Sequence, residues 1–185
     1  MNHKKIPACV CAALIALPFL ISGAEAQLRL DGINWEVSAV EGKRSMPYKP
    51  IQELRLEPYR KYTDKLRAIV SVKNEYSRPA EGLVLRYALS LHVVRTTVPA
   101  DAGFWAVPFR TEELRISQIK AGGAYGARLI HFVLNEQLRK LNNTGFWVDA
   151  LKLQVMLDPR SGEEPSRIIK EDVIAIVRPG TAVKR

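Results

Sequence analysis

The sequence predicts an all-β sandwich of about seven to nine strands with one short helix. Three observations carry that reading. First, the stretch from Leu66 to Val94 holds two runs that alternate at the period of a strand. Leu66, Ala68, Val70 and Val72 share one face against Arg67, Ser71 and Lys73. After a turn-rich break from Asn74 to Gly82, Leu83, Leu85, Tyr87, Leu89, Leu91 and Val93 share a face against Arg86, Ser90 and His92. Successive side chains of a strand point to opposite sides, so each run reads as a strand with one buried face and one solvated face. Second, similar runs recur along the chain at short spacing with Gly and Pro between them. Third, only the segment from Asn135 to Asn142 turns to a helical period.

The chain begins with a segment of a different kind. Asn2-His3-Lys4-Lys5 is basic, Ile6 to Ile21 carries no charge, and Ala24-Glu25-Ala26 supplies the small residues of a cleavage site. Residues 1–26 therefore read as a secretory signal peptide cut before Gln27. The apolar run is short for a bilayer span of ~20 residues, so no transmembrane segment is expected in the mature chain. Residues 27–180 read as one domain, with 27–64 supplying lead-in strands and loops and 65–180 the sandwich core.

Within it, Gln27 to Gly32 reads as a loose lead-in. Ile33, Trp35, Val37 and Ala39 form the apolar face of a first strand, with Trp35 in the core. Glu41 to Pro50 reads as a loop, and Ile51 to Glu57, flanked by Pro50 and Pro58, as an edge strand. Tyr59 to Lys65 connects it to the central pair. Beyond that pair, Thr96 to Gly103 is a loop and Phe104 to Phe109 a short aromatic strand weakened by Pro108. Leu114, Ile116 and Ile119 continue a strand or bent edge, and Ala121-Gly122-Gly123 is a turn. Tyr125 to Leu134 is a strand with Ala127, Leu129, His131 and Val133 opposite Arg128, Ile130 and Phe132. Leu134, Leu138 and Leu141 fall at helical spacing, with Asn135 as N-cap and Gly145 beyond the end. Phe146 to Leu157 is the strongest late strand: Trp147, Leu151, Leu153, Val155 and Leu157 share a face, interrupted by Asp149. Asp158 to Ser166 is a turn cluster. In the last strand Val173, Ala175 and Val177 alternate with Asp172, Ile174 and Ile176, and Pro179-Gly180 closes it.

Composition narrows the function classes. Both cysteines, Cys9 and Cys11, lie in the leader, so the mature chain is expected to form no disulfide and no thiolate metal site. The formal charge of +9 suits anionic surroundings. The basic residues are scattered without an interleaved aromatic block, so nucleic acid is not an expected partner.

The chemistry-bearing residues do not assemble into a reaction centre. His92 and His131 each sit in a strand pattern, whereas a metal centre needs three or four convergent donors, so neither a metal nor a cofactor is expected. There is no G-x-S-x-G elbow, and Gly122-Gly123 lacks the rest of a phosphate loop. The pairs Glu112-Glu113, Glu163-Glu164 and Glu171-Asp172 are sequence neighbours, which face opposite ways on a strand or are solvated in a loop. The sequence thus points away from an enzyme. Alternation in Phe104-Trp105 and in Phe146-Trp147 sends one aromatic inward and its neighbour outward. Next to the loop, Phe104 and Trp105 are the candidate surface contacts.

VSVKN at Val70 to Asn74 followed by EGLVLRY at Glu81 to Tyr87 resembles bacterial Ig-like domains of the CARDB (cell-adhesion-related) type. Those domains run a strand ending in V-x-N into a short polar turn and a second alternating strand. ISQIKAGGAYGARLIHFVL at Ile116 to Leu134 and VMLDP at Val155 to Pro159 resemble later turns of the same family, so the likeness spans roughly Lys65 to Pro159. It implies an Ig-like β-sandwich and an exported, periplasmic or extracellular, non-enzymatic interaction or structural module of the cell envelope. Its partner would be a protein or an anionic envelope glycan, and the alternative function is a carbohydrate- or glycan-binding module.

Overall fold

The computed structural model describes residues 28–56, 61–97, 102–130, 134–142, 144–160 and 163–177. The expected leader with its cleavage site, and His131, lie outside the described residues. Among those described, twelve strands and two helices follow in chain order. The first five strands are β1 (Leu28–Ser38), β2 (Val40–Glu41), β3 (Arg44–Ser45), β4 (Lys49–Ile51) and β5 (Glu53–Arg55). Next come β6 (Lys65–Asn74), β7 (Ala80–Arg95), β8 (Phe104–Trp105), β9 (Arg110–Ile119) and β10 (Ala124–Ile130). Helix α1 (Leu134–Asn142), β11 (Phe146–Leu157), α2 (Pro165–Ile168) and β12 (Ile169–Val177) complete the chain.

Two sheets form the sandwich. The first has the order β10-β6-β1-β4, and the second β5-β12-β11-β7-β8, with β9 also paired to β7. Pairing is antiparallel except between β5 and β12, which run parallel. The short β2–β3 hairpin stands apart. The core lies between the sheets. Leu66, Ala68, Val70 and Val72 from β6 meet Leu85, Leu89 and Leu91 from β7, with Leu151, Leu153 and Ile174 beside them, all buried. The two alternating runs that announced the fold are thus the middle of one sheet and an inner strand of the other.

Several elements differ from expectation, each for a local reason. The lead-in is part of the core: β1 starts at Leu28, and Leu28 and Leu30 are buried. A β-bulge lets this happen. Leu30 pairs with Val72 and Gly32 with Ser71, leaving Asp31 as the extra residue, so Leu30 and Ile33 face the same side although three positions apart. A second bulge lies in β11, where Val148 opposes Val93 and Ala150 opposes His92, leaving Asp149 unpaired. Val148 rather than Trp147 therefore faces inward on one side of it, and Leu151 and Leu153 do so on the other. The expected face shared by Trp147 and Leu151 is corrected accordingly.

The loop from Glu41 to Pro50 contains the β2–β3 hairpin and most of β4, and the turn cluster after Asp158 ends in α2. The expected edge strand from Ile51 to Glu57 is split at Gln52, where the chain leaves the first sheet as β4 and joins the second as β5. The aromatic strand shortens to β8. In contrast, β9 is a full ten-residue strand whose exposed face is charged, as suits a sheet edge. Helix α1 matches its expected span to within a residue, and Gly145 beyond it takes φ of 74°, a left-handed conformation that glycine adopts without steric cost.

A buried asparagine ties the sheets' ends together. Asn74 closes β6 and donates through Nδ2 to the carbonyls of Arg78, Ile119 and Lys120 at 3.0, 3.1 and 3.1 Å. Its Oδ1 accepts from Tyr76 N at 3.0 Å. One side chain therefore satisfies the turn after β6 and the turn between β9 and β10.

Candidate functional site

The outer face of the second sheet carries the candidate contacts. Strand β8 pairs with β7 through Trp105 opposite His92 and Phe104 opposite Val93. That register puts the Trp105 indole on the outer face and Phe104 at the open end of the sandwich. Phe104 is 54% exposed, Trp105 39% and Val107, just beyond, 84%. Alternation alone sends one of this pair inward; in the structure both are exposed, and each joins its own cluster.

Around Trp105 the cluster crosses three strands. The His92 and Trp105 rings lie 5.1 Å apart at 59°. His92 Nδ1 is 2.6 Å from Asp149 Oδ1, and Lys152 Nζ sits 4.5 Å from the indole centroid. Asp149 reaches His92 because the bulge turns it out of the core. An aspartate interrupting an otherwise apolar face was the sequence signal for that bulge. Ser90 lies directly across from Lys152 in the ladder and is only 4% exposed. The expectation that Ser90 and His92 lie on a solvated face is therefore corrected: Lys152, Trp105 and the chain around Gly103 cover it. A Cβ at Gly103 would fall 2.3 Å from His92 Cε1 and 2.9 Å from Nε2, so the backbone rests on the imidazole.

At the end of the sandwich, Phe104 meets Phe146 edge-on, with centroids 6.1 Å apart and planes at 88°. The Arg95 guanidinium lies 5.6 Å from the Phe146 ring. Each exposed aromatic thus belongs to a cluster in which a cation rests on a ring, an arrangement favoured by the negative potential of the ring face.

The His92–Asp149 pair fixes the imidazole, but the Gly103 backbone covers its Nε2 edge, where a base would have to meet a substrate. Among the described residues, no group of three or more histidine, cysteine, aspartate or glutamate side chains could hold a metal. No helix among them is long and apolar enough to cross a membrane. The carboxylate neighbours separate as strand geometry requires: Glu112 accepts from the Tyr87 hydroxyl and pairs with Arg110 at 2.6 Å, while Glu113 lies beside Arg115. Glu171 lies near Lys152, whereas Asp172 accepts from Trp35 on the other side of β12.

No family model matches the chain, and no curated protein matches it. Among solved structures, it is similar to a hemolymph-type prophenoloxidase from a crustacean, with 9% identity and a TM-score of 0.45 over 83% of this chain and 34% of that one. It is also similar to a solution structure from Arabidopsis thaliana, with 13% identity and a TM-score of 0.39 over 91% of this chain and 93% of that one. The chain spans about a third of the crustacean protein's length.

Proposed function

We propose that this chain is an exported, non-enzymatic interaction module of the cell envelope that meets its partner through the Phe104–Trp105 end of the second sheet. The observation that carries this reading is the exposure of two large aromatics, Phe104 and Trp105, held by ladder pairing to β7 rather than on a free loop. Rigid, partly exposed aromatics lose little conformational freedom on binding and are enriched among the residues that dominate interfaces. Lys152 and Arg95 beside them favour a partner that combines acidic and apolar groups. The resemblance to cell-adhesion-related domains supports the same reading.

The test is capture from the envelope fraction of the source cell with wild-type protein and with a Phe104→Ala/Trp105→Ala variant. A protein retained by the wild type and lost by the variant, with unchanged circular dichroism, is the expected result. Identical captures by both would overturn the assignment of the surface. A second reading, binding of an anionic envelope glycan, is favoured by one feature: the Trp105 indole is bordered by His92, Asp149 and Lys152. A ring flanked by polar groups is the combination that stacks on and orients a sugar. Binding to acidic glycans that disappears on Trp105→Ala, without any captured protein, would select that reading.

A further inference from the structure

On the far side of the second sheet, the sandwich opens between β1 and β12. Strand β4 pairs with β1 only from Trp35 to Val37, so Ile33 and Asn34 lie beyond its reach. Strand β5 pairs with β12 only at Ala175 to Val177, so no described strand pairs with that edge of β12 at Asp172 to Ile174. The chain crosses between the sheets at Gln52, and below this crossing lies a cleft of about 600 Å³. Its lining mixes the apolar Ile33, Ile51 and Val173 with the polar Asn34 and Gln52, and Asp172 stands inside it beside Trp35.

Asp172 is the unusual member. It is half-buried on the inward side of β12, and its Oδ2 accepts from the Trp35 indole N–H at 2.6 Å. A carboxylate has about four acceptor positions, and this bond uses one. No lysine, arginine or histidine among the described residues lies within ion-pair distance of Asp172, although the chain as a whole carries +9. The nearest basic residue in sequence, Lys170, donates instead to the Asp31 carbonyl at 2.9 Å. A partly desolvated carboxylate held by a neutral donor, in a cleft of mixed polar and apolar lining, complements an ammonium group on an apolar stem. The unpaired stretch of β12 beside it offers backbone donors and acceptors to an added strand in line with β5.

We propose that this cleft receives a lysine side chain carried on an extended segment of a protein partner, with Asp172 as its counter-ion and the free edge of β12 as its ladder. The site is separate from the Phe104–Trp105 surface and does not depend on that surface's role. A lysine stem can lay its methylenes along Ile33 and Ile51 while its ammonium reaches Asp172.

The test follows the Trp35 indole N–H resonance of the full-length, ¹⁵N-labelled protein. The probes are acetyl-Thr-Val-Lys-Val-Thr-amide, the same peptide with norleucine in place of lysine, and n-butylammonium. The lysine peptide is expected to move the Trp35 resonance saturably, and each of the other two probes to bind at least about tenfold more weakly. Asp172→Asn is expected to weaken the lysine peptide by a similar factor. This variant keeps an oxygen to accept from the indole, and its own spectrum reports whether the fold is retained. Equal affinity of the lysine and norleucine peptides would overturn the role of Asp172. Equal affinity of n-butylammonium and the lysine peptide would overturn the strand and leave a small-amine site. No shift of the Trp35 resonance with any probe would overturn the proposal outright.

Discussion

Single side chains decide more of this fold than their number suggests, and Asn74 shows it most clearly. It is fully buried and serves three carbonyls and one N–H belonging to two turns. Asn74→Ala would leave those groups without their partner, and the buried Ile119 carbonyl alone would cost about 1–3 kcal/mol, while the part-buried groups can turn partly to water. A loss of about 2–4 kcal/mol in urea unfolding is the expected outcome. Asn74→Asp should be no milder, because a carboxylate would face three carbonyl oxygens. A loss below ~1 kcal/mol for both would mean that water replaces the side chain. The sequence showed this residue only as the end of a V-x-N pattern; nothing in the pattern indicated that two of its partners, Ile119 and Lys120, lie more than forty residues away. Tyr87 and Glu112 supply a pH-dependent test. The Tyr87 hydroxyl, and then Arg110, holds the Glu112 carboxyl below its ordinary 4.5 against the opposing effect of burial. A depressed carboxylate stabilises the fold above its unfolded value, and that contribution is lost as pH falls through its folded value. Tyr87→Phe should therefore flatten the acid side of the stability curve below pH 4.5. Burial, and then the Glu112 bond, pushes the Tyr87 hydroxyl up from 10.0 to about 12. Its contribution has the opposite sign, being lost as pH climbs past 10.0 toward that value. Superimposable acid limbs for wild type and variant would show that the Tyr87–Glu112 bond does not persist in solution.

At the scale of the element, the strands with unbroken alternation were legible and the bulged ones were not. β6 keeps its period over its whole length and β7 from Leu83 to Leu89, so that buried set could be read directly from spacing, whereas Ser90 and Val94 on the other face of β7 are buried as well. β1 and β11 each change parity at an aspartate, Asp31 and Asp149, because a bulge inserts one residue and moves every later side chain to the other face. A strict period-2 reading therefore discarded Leu28 and Leu30 and turned Trp147 inward. The candidate site suffers most from this, since His92, Asp149 and Lys152 meet Trp105 only through the bulge and the ladder register. Two substitutions test the faces of β7. Leu89→Ala removes a fully buried side chain at the centre of the sandwich and should cost ~2–5 kcal/mol. A cost near zero would place Leu89 outside the core. Gly103→Ala acts on the other face, where the added methyl meets the His92 ring at 2.3 Å and must displace either the ring or β8. A loss of about 1–3 kcal/mol, accompanied by a changed Trp105 emission, is expected. An unchanged spectrum and stability would show that β8 does not rest on His92 in solution.

For the molecule as a whole, the question is whether two sheets behave as one body. The order of strands follows chain order poorly. β1 sits between β6 and β4, and β5 joins β12 across most of the chain, pairing Glu53 with Ala175. This topology was not legible, because alternation reports which face of a strand is buried and says nothing about which strand lies beside it. It has a consequence for unfolding. The first sheet contributes Trp35 and the second Trp105 and Trp147, and Trp35 is tied to the second sheet by its bond to Asp172. The core residues of the two sheets cover one another, so neither sheet retains a dry face once the other is gone. Residues 28–185 contain no cysteine, so no disulfide can hold one sheet together independently of the other. Unfolding should therefore be a single cooperative step. A variant that keeps only Trp35 and one that keeps only Trp147, with the other indoles replaced by Phe, would report the first and second sheets separately. Coincident urea midpoints by fluorescence within each variant, matching far-UV circular dichroism of the same variant, are the expected result. An early transition seen by Trp35 alone would mean that the first sheet detaches before the second melts. The cleft between β1 and β12 is where the two sheets would then part.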